Sequence, residues 1–90
     1  MYRVTLRIDR VPNDIGPQMA ADITDGFKER TWHEKAICSY EDGGLTLTSE
    51  NDFDFNGLAT EDEFSDEFSA NLLRSYDNDG NLRILSVEEF

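Results

Sequence analysis

Nucleophilic catalysis of the triad kind needs a serine or cysteine, a base and an orienting acid held together in space. This chain has one histidine, His33, and one cysteine, Cys38. His33 stands in Trp32-His33-Glu34, where a helix end meets a strand, and reads as a solvated or capping side chain, a placement the helix dipole favours. Cys38 reads as a small half-buried residue in a reducing compartment, since a lone cysteine excludes an internal disulfide framework. There is no G-x-G-x-x-G run, no P-loop and no Cys/His ligand cluster, so nucleotide and zinc chemistry are disfavoured. Carboxylate pairs for glycoside hydrolysis can be drawn from many acids, but that abundance makes any one pair uninformative. The expectation is a protein that is not an enzyme and holds no cofactor.

One short run has the look of a metal loop. Asp77, Asp79, Asn81 and Glu88 stand at positions one, three, five and twelve of a loop, with Ile84 at the hydrophobic eighth. This resembles the calcium loop of the EF-hand family, which implies calcium bound by those acids and amides. Leu82, however, occupies the position where the family has glycine for a sharp turn, and only two residues follow Glu88, so no exit helix is expected. The same residues read as a helix stop and a turn into a last strand, and no metal is expected.

Charge is the more informative quantity. Residues 1–40 carry six basic and six acidic side chains, whereas residues 41–90 carry fourteen acids against Arg74 and Arg83 alone. The whole net charge of −12 therefore belongs to the second half. Its densest part comprises Glu50, Asp52 and Asp54, then Glu61, Asp62, Glu63, Asp66 and Glu67, and these eight are the candidate partner-binding residues. Asp62–Asp66 and Glu63–Glu67 are like-charge pairs at i, i+4, each costing about 0.2–0.5 kcal/mol on a helix. Stability alone does not account for such a concentration. Solubility does, and so does a basic partner. Adaptation to high salt, suggested also by six Arg to two Lys, predicts acids in both halves.

The elements that must position these residues follow from periodicity. Tyr2, Val4, Leu6 and Ile8 alternate with polar residues as a strand with one buried face. Gly16-Pro17 opens a helix whose stripe is Met19, Ile23 and Phe27, ending near Thr31-Trp32. A second strand runs over residues 35–40, Glu41-Asp42-Gly43-Gly44 signals a hairpin, and Leu45, Leu47 and Ser49 mark the third strand. Residues 52–57 read equally as strand extension or loop. Phe53 and Phe55 within them either cap the sheet edge or, exposed, anchor a partner; capping is the ordinary outcome. Thr60-Glu61-Asp62-Glu63 has the form of a capping box ahead of a second stripe of Phe64, Phe68, Leu72, Leu73 and Tyr76. Leu82, Ile84, Leu85 and Val87 form a last strand.

The order β-α-β-β-α-β favours an α+β, ferredoxin-like fold: a four-stranded antiparallel sheet with both helices on one face, residues 1–90 forming a single domain. Its apolar runs are too short to span a bilayer, and Met1-Tyr2-Arg3-Val4 opens as a strand and not as a leader, so a cytoplasmic protein, monomer or homodimer, is expected. The functional expectation is an acidic inhibitor that occupies the basic, nucleic-acid-binding surface of a partner protein by nucleic-acid mimicry. Phage anti-restriction and anti-CRISPR proteins and toxin-immunity proteins are small and acidic in the same way, an analogy of composition alone. Direct nucleic-acid binding is disfavoured because the phosphate backbone repels such a charge. The alternative is a small-molecule-sensing regulatory domain whose acids serve solubility only.

Overall fold

The computed structural model describes residues 1–70 and 82–90. In chain order the elements are β1 (Tyr2–Ile8), α1 (Gly16–Lys28), β2 (Glu34–Glu41), β3 (Gly44–Asn51), α2 (Leu58–Ala70) and β4 (Arg83–Glu89). The strands form one sheet in the order β2-β3-β1-β4, with every neighbouring pair antiparallel. This is the ferredoxin-like α+β arrangement expected from the order of the elements. The EF-hand-like run at residues 77–81, and Leu72, Leu73 and Tyr76 of the second stripe, lie outside the described residues.

The core follows from the two periods. Val4, Leu6 and Ile8 of β1 share a face with Leu45 and Leu47 of β3 and Cys38 of β2. Met19, Ala20, Ile23 and Phe27 of α1 and Phe64 and Phe68 of α2 close over that face as one cluster. Alternate residues Arg3, Thr5 and Arg7 of β1 and Thr46 and Thr48 of β3 point the other way. There Asp9 joins β1 to β4: its carboxylate is held below the usual range by hydrogen bonds from Arg83 and then Arg7.

Local chemistry explains the connections. At the β2–β3 hairpin Asp42 and Gly43 both have positive φ, 50° and 73°, the two-residue turn whose twist matches the flanking strands. Gly16, at the start of α1, faces the Tyr40 ring so closely that a Cβ there would lie 2.2 Å from it. Tyr40 in turn donates its hydroxyl to the Val11 carbonyl at 2.7 Å. Along the free edge of the sheet, the Cys38 amide donates to the Thr24 hydroxyl of α1 at 2.9 Å, so a helix residue blunts an edge strand.

Two expectations about helix ends need correction. Helix α1 ends at Lys28, before Thr31-Trp32, because residues 29–33 tighten into turns closed by hydrogen bonds from Arg30 N to Phe27 O and from His33 N to Arg30 O. Helix α2 begins at Leu58, ahead of Thr60, and no capping box forms. Asn56 and Asp54 cap it instead. Leu58 N donates to Asn56 Oδ1 at 3.1 Å, Ala59 N to Asp54 Oδ1 at 3.3 Å and Thr60 N to Asp54 Oδ2 at 2.8 Å. Two carboxylate oxygens thus serve donors that a helix start otherwise leaves unpaired. Residues 52–57 are the loop that delivers these caps, which settles strand against loop.

Candidate functional site

The eight candidate carboxylates divide into two groups. Glu50 is buried on β3, where Arg3 of β1 reaches its Oε2 at 2.9 Å and Lys35 of β2 comes within 3.8 Å of its Oε1. Asp54 is buried as the helix cap, and the Thr60 hydroxyl donates to it at 2.6 Å. Glu63 and Glu67 turn inward from α2 to Arg30, at 3.3 Å and 2.9 Å. These four acids hold the molecule together. The other four, Asp52, Glu61, Asp62 and Asp66, make no ion pair or side-chain hydrogen bond among the described residues, and all but the half-buried Glu61 are exposed.

Glu63 is the hub of a network that sequence reasoning missed. Its Oε2 accepts from Arg30 and, at 2.9 Å, from the indole Nε1 of Trp32; its Oε1 lies 2.9 Å from His33 Nε2. His33 Nδ1 lies 2.8 Å from the Ser49 hydroxyl. Because a carboxylate only accepts, Nε2 is the donor to Glu63, which leaves Nδ1 to pair with the Ser49 hydroxyl. His33 is therefore not a solvated or capping side chain: it is 8% exposed, packed edge-on against Phe27 with ring centroids 5.1 Å apart. The signal that could have found it was Glu63, a helix acid three residues after Thr60 and on the side facing the core.

Serine, imidazole and carboxylate in line invite comparison with a catalytic triad. The geometry argues otherwise. Ser49 is 0% exposed, so no substrate carbon reaches its oxygen in the closed fold. The ring is also reversed relative to the serine hydrolases, with Nδ1 and not Nε2 toward the hydroxyl. Cys38 is equally withdrawn: burial pushes its thiol up to about 12, leaving almost no thiolate at neutral pH.

Several large apolar side chains in the neighbouring segments are exposed. Trp32 is 49% exposed, Phe53 42% and Phe55 70%, with Leu58 also exposed. Phe53 and Phe55 thus do not cap the sheet edge; the Asp54 cap between them directs both outward. The rings of Trp32 and Phe53 flank His33 at 6.2 and 6.1 Å between centroids. Beside Trp32 an open hollow of about 320 Å³ is lined by Met1, Thr31, Trp32, Glu34, Asn51 and Asp52.

Fold and surface together define a ferredoxin-like domain whose acidic half carries exposed aromatic side chains. No family model, curated protein or solved structure matches the chain. No helix among the described residues is long and apolar enough to cross a membrane.

Proposed function

We propose that this protein is a non-enzymatic binding protein that occupies a basic, nucleic-acid-binding surface of a partner protein, its carboxylates standing where phosphates would lie. The observation that carries this reading is the company the unpaired acids keep. Asp52 adjoins exposed Phe53, and Asp62 and Asp66 lie on the helix whose Glu63 holds Trp32. Acids kept for solubility need no exposed aromatics among them. Protein interfaces, by contrast, draw most of their energy from a few aromatic anchors and draw association rate and register from complementary charge.

The test couples capture to charge reversal. The immobilised protein is exposed to host lysate and eluted with a salt gradient, beside a triple variant with Asp52→Lys, Asp62→Lys and Asp66→Lys. The expected catch is a basic protein that moderate salt releases and a DNA or RNA oligonucleotide displaces. The triple variant should bind it at least about tenfold more weakly at low salt. Reversal at Asp22 and Asp25 on α1 should matter far less. A partner held equally well by the triple variant would overturn the proposal.

A further inference from the structure

We infer that the hollow beside Trp32 is a seat for one arginine side chain of the partner. For its biological occupant the inference rests on the basic partner proposed above; its chemistry stands on the site itself. One wall is an indole that is half exposed and yet held in place, because Nε1 donates to Glu63 Oε2 at 2.9 Å while Arg30 and His33 hold that carboxylate from other sides. The ring's one donor is engaged by Glu63, so its exposed half has only aromatic carbon surface to offer a ligand. Two further walls are Glu34, at the start of β2, and Asp52, just beyond the end of β3. Both are exposed, and neither makes an ion pair among the described residues.

An aromatic wall and two carboxylates among the residues lining one hollow are complementary to a cation. A guanidinium suits the arrangement better than an ammonium, since it is planar, stacks on an indole, sheds water readily and presents several donors to two carboxylates at once. At about 320 Å³ the hollow takes the head group with part of its methylene stem. The fixed indole also means that little side-chain entropy is lost on binding.

Trp32 is the only tryptophan, so it reports on the seat directly. The probe is N-acetyl-arginine methylamide, titrated against the fluorescence and the indole N–H resonance of the intact protein. N-acetyl-citrulline methylamide serves as the neutral isostere and N-acetyl-lysine methylamide as the ammonium. A saturable response to the arginine probe is expected in the millimolar range, with the citrulline probe about tenfold weaker and the lysine probe weaker than arginine. Glu34→Gln with Asp52→Asn, both surface positions, should weaken the arginine probe about tenfold while the far-ultraviolet circular dichroism stays unchanged. A response that does not saturate, citrulline or lysine binding as tightly as arginine, or an unaffected double variant would overturn the seat. The two proposals fail separately. A captured basic partner that ignores the Glu34 and Asp52 changes leaves the acidic surface standing without the seat. Saturable arginine binding with no captured partner leaves the seat without the proposed function.

Discussion

At the scale of single residues, the polar side chains least exposed to solvent are the ones whose roles are most constrained. Cys38 shows this through pH. Its thiol is raised from an ordinary 9.0 to about 12 by burial, so the fold favours the neutral form. The stability this represents is fully present below pH 9 and is lost as the pH rises from 9 toward 12, because the unfolded thiol ionises first. Cys38→Ala should thus be less stable than the parent by a constant amount below pH 9. Above that, the gap should narrow by roughly 1 kcal/mol per pH unit. Urea unfolding of both proteins between pH 7 and 11 checks this (a range set by the shift itself); a gap that stays constant throughout would contradict it.

At the scale of elements, the network through Glu63 ties α2 to the turn after α1 and to β3. Helix α2 otherwise buries only Thr60, Phe64 and Phe68 among its described residues, so polar contacts carry an unusual share of its attachment. Replacing His33 by Ala empties ring volume beside Phe27 and leaves the Ser49 hydroxyl without its partner in a fully buried site. The cost should be about 2–4 kcal/mol, the sum of a cavity and an unsatisfied buried polar group. Denaturant unfolding measures that loss, and Trp32 fluorescence should shift at the same time because Glu63 loses one of its three partners. A change below about 0.5 kcal/mol, typical of surface substitutions, would mean that the network is incidental.

At the scale of the whole molecule, twenty acids face eight basic side chains. Ion pairs such as Arg30–Glu67 and Arg3–Glu50 weaken in salt, but each acts only at short range. The excess carboxylates, including Asp62 and Asp66 one helical turn apart, repel one another over distances comparable with the Debye length of about 10 Å at 0.1 M salt. Repulsion should win. Raising sodium chloride from about 0.01 M to 0.5 M should therefore increase the melting temperature by several degrees, since 1 kcal/mol corresponds to about 4–8 °C in a domain of this size. A melting temperature that falls with salt would show that paired charges dominate stability.

Much of this was legible in the residues themselves. Alternation in Val4, Leu6 and Ile8, the helical stripes of Met19, Ile23 and Phe27 and of Phe64 and Phe68, and the Asp42-Gly43 turn are local patterns. A period of two or of about 3.6 reports which side of an element is buried without reference to any partner element. The sign and the one-sidedness of the charge were equally plain. What only the tertiary structure decided was which acids are spent within the fold. Glu63 and Asp62 are neighbours of identical charge, yet one lies under Trp32, Arg30 and His33 while the other faces solvent. Those partners come from thirty to thirty-three residues away in the chain, and no local period encodes such a meeting. The same holds for His33, whose neighbours in sequence suggested a helix end in water. Its burial follows from the packing of α2 and β3 across it, a contact made only when the sheet and both helices have closed on one another.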